Sequence, residues 1–154
     1  MDFKKFLASK EFVLLDGAMG TLIQNSGVKF DSVPETLNIT HPELIESFHR
    51  AYADAGSDIV YANTFGANGY KLKESGYSVE EIIKSGIENA KKAVQGTSCL
   101  VALDIGPIGQ LLEPAGSLGF DSAYEYFKEQ IIAGREADVI VFETMTDLYE
   151  LKAA

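Results

Sequence analysis

The sequence predicts an α/β fold built on a parallel sheet, and three observations predict it. Four short apolar runs are near-continuous rather than alternating, which is the pattern of strands buried on both faces. Amphipathic stretches separate them. The polar residues closing the runs, Asp16, Asn63, Asp104 and Glu143, follow one another at spacings of 47, 41 and 39 residues. A βα unit repeating at about 40 residues is the signature of a chain that alternates strand and helix.

The first run is Phe12-Val13-Leu14-Leu15-Asp16, expected as a buried strand. The second is Asp58-Ile59-Val60-Tyr61-Ala62-Asn63, the third Cys99 to Asp104, the fourth Asp138 to Glu143. The second can be laid over the fourth, Asp58 on Asp138 and Thr64 on Thr144. Between them, Thr40-His41-Pro42-Glu43 reads as a capping-box start with proline in the first turn. Leu44, Ile45, Phe48 and Tyr52 form one apolar stripe, and Gly56 is the stop signal. Ser78-Val79-Glu80-Glu81 opens a second helix carrying Ile83, Ile87, Ala90 and Val94. Asp121 or Ser122 opens a third, and Asp147 to Ala154 reads as the beginning of a fourth. Two longer connections, Thr21–Ile39 and Gly106–Phe120, follow the ends of strands, where α/β folds place their sites.

Composition narrows the function. The chain has 154 residues, 46% hydrophobic and 23% charged, with a net charge of −10. That is one soluble domain, and its acidity disfavours nucleic acid or an anionic membrane as a partner. No apolar run is long enough to span a bilayer, and Met1 to Glu11 lacks the apolar core of a signal peptide. A cytoplasmic location is the expectation. The single cysteine, Cys99, allows no internal disulfide and no multi-cysteine metal site.

Asp16, Asn63-Thr64, Asp104 and Glu143 would project from the same end of a parallel sheet. Three carboxylates and an amide there imply an anionic pocket suited to an ammonium group, a metal or a proton transfer. Each taken alone is equally explained as a helix cap or a loop-bonding residue; four in corresponding positions favour a site. Asp16-Gly17-Ala18-Met19-Gly20-Thr21 is a glycine-bearing turn whose backbone amides suit a carboxylate or phosphate, though it lacks the spacing of a dinucleotide site. His41 and His49 are expected in surface or packing roles, and Cys99 as a small hydrophobe.

These residues also carry a resemblance. Leu14-Leu15-Asp16-Gly17-Ala18-Met19-Gly20-Thr21 resembles the opening signature of homocysteine S-methyltransferase domains. Pro34-Glu35-Thr36-Leu37-Asn38, His49-Arg50-Ala51-Tyr52, Ala55-Gly56-Ser57-Asp58, Asn63-Thr64-Phe65-Gly66-Ala67-Asn68, Asp104-Ile105-Gly106-Pro107 and Phe142-Glu143-Thr144 continue it in order. It covers nearly the whole chain and is strongest to N-terminal domains of cobalamin-dependent methionine synthases. The resemblance implies the first four βα units of a (β/α)8 TIM barrel, truncated, with residues 1–154 as its N-terminal half. It implies methyl transfer to a zinc-bound homocysteine thiolate, since a cation lowers the thiol pKa and the thiolate is the nucleophile. The three zinc cysteines of the family would lie beyond residue 154, and cobalamin or folate would enter only through other domains. Carried over by position, Asp16 and Glu143 would face the substrate amino group. The amides of Gly17 and Ala18, with Thr64, would face its carboxylate or backbone atoms, while Asn63 and Asp104 shape the pocket floor.

On this reading the isolated chain is inactive, and its open sheet edge favours self-association or pairing with the missing C-terminal half. A different class is a non-catalytic half-barrel binding module completed by a partner chain. A third is an aldolase-like or isomerase-like enzyme acting through the carboxylates alone, against which the lack of a strand-end lysine or histidine counts.

Overall fold

The structure is a computed structural model that describes residues 3–30 and 33–154. Met1 of the N-terminal segment and positions 31–32 of the first long connection lie outside the described residues.

Three strands form a parallel sheet in the order β1 (Ile59–Tyr61), β2 (Leu100–Ile105), β3 (Val139–Phe142). Tyr61 pairs with Ala102, which pairs with Val139; Asp104 pairs with Val141. The central strand β2 is buried along its whole length. The fourth expected strand, Phe12–Asp16, takes another form. It meets β1 through a single parallel bridge, Leu15 to Ile59. It is not buried either, with Phe12 74% and Leu14 49% exposed. Side chains account for this. Leu14 N donates to Asp58 Oδ2 at 3.0 Å, and Tyr61 N donates to Asp16 Oδ2 at 2.9 Å. Carboxylates thus take two of the amides that a ladder would use.

A related device recurs two interfaces further on. Asp58 N donates to the Leu14 carbonyl at 2.7 Å while its carboxylate accepts from Leu14 N. Asp138 N donates to the Val101 carbonyl at 2.9 Å while its carboxylate accepts from Val101 N at 2.9 Å. The overlay of Asp58 on Asp138 seen in the sequence is therefore a repeated two-bond clasp at the start of a strand.

One face of the sheet carries the main core. Val60, Ala62, Val101, Leu103 and Ile105 pack with Ile82, Ile83, Ile87 and Ala90 of α5 (Val79–Ala93) and with Ala123 and Phe127 of α6 (Phe120–Ala133). Helix α5 starts on the expected capping box: Ser78 Oγ accepts from Glu81 N at 3.2 Å, and Glu81 accepts from Ser78 N at 2.9 Å. The box expected at Thr40–Glu43 does not form. Thr40 is the last residue of the short helix α3 (Leu37–Thr40), and its hydroxyl donates back to the Thr36 carbonyl at 3.2 Å. Helix α4 (Pro42–Asp54) therefore starts on His41 without a side-chain cap. Helix α6 starts at Phe120, one residue ahead of the expected Asp121, with Gly119 as N-cap.

The opposite face is covered at its lower end by α1 (Phe3–Ala8), which the sequence reading did not foresee. Phe6 packs against Ile59, Leu100 and Ala102, with Tyr61, Val139 and Val141 alongside. Lys10 anchors the segment through Asp58 at 2.6 Å. The first long connection is not a plain loop: it holds α2 (Met19–Ser26), a 3-10 turn at Pro34–Thr36, and α3. The chain closes with α7 (Leu148–Ala153), capped by Asp147, whose side chain accepts from Tyr149 N at 2.7 Å.

Phe127 is fully buried and meets the ring of Phe142 edge-on at 6.4 Å. Phe127→Ala is expected to cost about 3–5 kcal/mol, read from the midpoint of urea unfolding. Ser78→Ala is expected to cost only about 1 kcal/mol in the same assay.

Candidate functional site

The upper ends of the strands open into a cleft of about 540 Å³. Asp16, Gly17, Ala18, Asn63, Thr64, Asp104 and Glu143 all line it, and so do Met19, Glu35 and Tyr61. A wider groove of about 910 Å³ lies on the outer surface between α5 and α6 and contains none of these residues.

The lining residues divide by what their polar atoms do. Asn63 is committed to the scaffold. Its amide donates to Asn38 Oδ1 at 3.0 Å and to the Pro34 carbonyl at 3.2 Å, while its own carbonyl accepts from Asn38 Nδ2 at 2.7 Å. Asn89 of α5 completes this network by donating to the Asn38 carbonyl at 2.9 Å. Thr64 is fully buried. Its hydroxyl donates to the Asp104 carbonyl at 2.8 Å and accepts from Asp104 N at 3.1 Å. That leaves Thr64 no free side-chain donor toward the cleft. What Thr64 does is fix where Asp104 stands.

The carboxylates form the electrostatic centre. Burial raises Asp16 to about 6, against the opposing hydrogen bond from Tyr61 N and with a further push from Glu143. Burial raises Asp104 to about 8, with Glu143, Asp16 and Glu35 adding to it. Asp104 Oδ1 is buried without a hydrogen-bond partner. The Tyr61 phenol is also pushed up, by burial first and then by Glu143, Asp104 and Asp16, so it remains a hydrogen-bond donor throughout the neutral range.

The N-terminus of α2, which follows Asp16 in the chain, also lines the cleft. Gly17, Ala18, Met19 and Gly20 line the cleft where helix amides lack intrahelical partners. Gly17 sits under Tyr52, and a Cβ there would come 2.9 Å from the tyrosine hydroxyl.

Two lining residues with polar side chains, Tyr61 and Glu35, are not marked as site residues by the sequence. Tyr61 was legible in principle: it stands two positions before Asn63 and hence shares its sheet face. Glu35 lies within a quoted motif but had no assigned part. It is 3% exposed, and its Oε1 accepts from Gly66 N at 2.5 Å. Burial raises its pKa. The neighbouring Lys71 donates to the Pro107 carbonyl at 2.8 Å, and Glu150 of α7 accepts from Ile108 N at 2.8 Å. These bonds tie the turns above β1 and β2 to one another.

The profile of the family described as homocysteine S-methyltransferase matches residues 13–154. This chain belongs to the homocysteine S-methyltransferase family. The methionine synthases of Mycobacterium leprae and Mycobacterium tuberculosis are each 30% identical to it, over 90% and 95% of this chain. The chain spans only 13% of the length of either relative. A selenocysteine Se-methyltransferase of Brassica oleracea var. italica is 25% identical over 92% of this chain, which spans 50% of that protein. In structure, the chain shares the fold of the Escherichia coli homocysteine methyltransferase MmuM in its metallated form. The TM-score is 0.85 at 24% identity, covering 98% of this chain and 60% of that one.

The zinc that the family resemblance implies finds no fit among these residues. Cys99 precedes β2, at the end of the sheet opposite the cleft, with its thiol against the Leu100 carbonyl at 3.6 Å. Burial pushes that thiol up to about 11, away from the thiolate form a zinc ligand needs. Among the described residues no three histidine, cysteine, aspartate or glutamate side chains group to hold a metal.

The acid shifts set a pH dependence. The folded state holds protons on Asp104 and Asp16 at pH values where the unfolded chain has lost them. Their contribution is therefore most favourable near pH 4 and is lost as pH rises toward about 8. His49 works in the opposite sense. It is fully buried with both ring nitrogens unpartnered, and burial lowers it to about 4, so stability falls as pH drops from about 6.5 to 4. Asp104→Asn is expected to raise the melting temperature at pH 8.5, with the gain fading by pH 4. His49→Leu should flatten the acid limb of the same melting series followed by circular dichroism.

Proposed function

We propose that this chain is the amino-acid-recognition half of a homocysteine methyltransferase domain, holding the first four βα units of a (β/α)8 barrel. The observation that carries this reading is one cleft lined both by carboxylates and by a helix N-terminus. An α-amino acid is a zwitterion, and such a cleft complements both of its charges. Asp16 and Glu143 face the ammonium group. The amides of Gly17 and Ala18 and the first turn of α2 face the carboxylate. Asn63 and Thr64 hold the floor, and Asp104 adds the third carboxylate. The cleft volume of about 540 Å³ suits a ligand of this size.

The chemistry at sulfur belongs elsewhere. Zinc would supply a cation that holds the homocysteine thiol as a thiolate, and its cysteine ligands are assigned to the other half of the domain. The residues of this chain bind and orient the amino acid, so methyl transfer by the isolated chain is not expected. The free edge of β3, with Ile140 40% exposed beside half-buried neighbours, supports pairing with that other half or with a second copy. A binding module completed in trans is the same geometry without the catalytic conclusion.

Calorimetric titration with L-homocysteine tests the reading. Binding is expected, and Asp16→Asn or Glu143→Gln should each weaken it at least tenfold, the loss of a charge-assisted hydrogen bond of about 1.5–3 kcal/mol. Equal affinity in both variants would sink the assignment. Restoration of methyl transfer by adding a C-terminal half with zinc would distinguish the enzyme half from a binding module.

A further inference from the structure

Asp104 differs from the other acids of the cleft. Its side chain is 7% exposed, and one of its two oxygens is buried without a partner. The groups that face it from the surrounding elements are Glu143 at the end of β3, Asp16 at the end of the first segment, Glu35 on the 3-10 turn and the phenol of Tyr61 on β1. None of them brings a positive charge. The cation beside this group, Lys71, donates to the Pro107 carbonyl at 2.8 Å, and its charge acts on Glu35 and Glu150. Four carboxylates on four neighbouring segments, with no ammonium among them, cannot all stay ionised in a site of low dielectric.

We propose that Asp104 stands as a neutral carboxylic acid in the empty cleft and releases its proton to solvent when the ammonium group of an α-amino acid enters. The inference rests on the amino-acid reading of the cleft. An ammonium group offers three N–H donors, and Asp16, Asp104 and Glu143 offer it three carboxylates. On entry the O–H bond of Asp104 breaks and its proton passes to bulk water. The carboxylate left behind pairs with an ammonium that keeps all its own protons, and no electrons change hands. Burial and the neighbouring acids supply the bias toward the neutral form in the free protein, raising this carboxyl to about 8. The incoming positive charge reverses that bias. Ligand affinity therefore rises with pH up to about 8, and Asp104 makes binding proton-linked.

Two measurements on the 154-residue chain decide the matter. In the carbon-13-labelled protein without ligand, the Asp104 carboxyl signal, assigned by its loss in Asp104→Asn, should titrate near pH 8. A midpoint near the ordinary aspartate value of about 4 overturns the proposal. In calorimetry with L-homocysteine at pH 7, the heats in phosphate and Tris buffers should differ by the release of about one proton per ligand. That release should vanish in Asp104→Asn, and equal release in the variant also overturns the proposal. If homocysteine gives no heat at all, the substrate reading fails, and the carboxyl midpoint alone decides whether Asp104 holds the proton.

Discussion

Asp58 and Asp138 each close a two-bond clasp on the strand beside them, Asp58 on Leu14 and Asp138 on Val101. Side chains alternate across a sheet, so a slip of one residue would carry every inward group to the outer face. The clasps forbid that slip at both junctions. Because they hold, Asp16, Asp104 and Glu143 reach the same cleft, and Leu103 and Ile105 stay against the helices. The hydrophobic core supplies most of the stabilisation, but it is indifferent to register by two residues. The aspartates are not.

The two faces of the sheet do different work. The outer face is apolar, and its residues on β1 and β2 are buried against α5 and α6. The inner face is divided along its length: an apolar lower half closed by Phe6, and an acidic upper half that opens into the cleft. Gathering acids in the upper half opposes folding, since desolvation and mutual repulsion both raise their pKa values. A fold keeps such an arrangement where a ligand of opposite charge relieves it. The scaffold around it is correspondingly rigid. Thr64, Asn63, Asn38 and Asn89 direct their polar groups into one another and into backbone rather than toward a ligand.

Much of this was legible in the residues. The repeat was legible because Asp58 and Asp138 occupy the same place in two similar runs. The start of α5 was legible because Ser78 and Glu81 form a local motif whose partners are three residues apart. The misreadings share a cause, which is competition from partners that local patterns do not show. Thr40 could cap α4, but the preceding helical turn offers its hydroxyl the Thr36 carbonyl. Phe12–Asp16 has the composition of a buried strand, but carboxylates from Asp58 and from Asp16 itself take the amides at its junction with β1. Glu35 is 31 positions from Gly66, and nothing near it in sequence announces that its carboxylate will be buried there.

That last contact constrains how the chain can change over generations. A Cβ at position 66 would stand 2.7 Å from Glu35 Oε1, so a side chain at 66 requires the buried Glu35 carboxylate to move. Shortening position 35 first would leave the Gly66 amide without its acceptor. Either single step disturbs the contact, so the two positions are coupled although they lie on different turns.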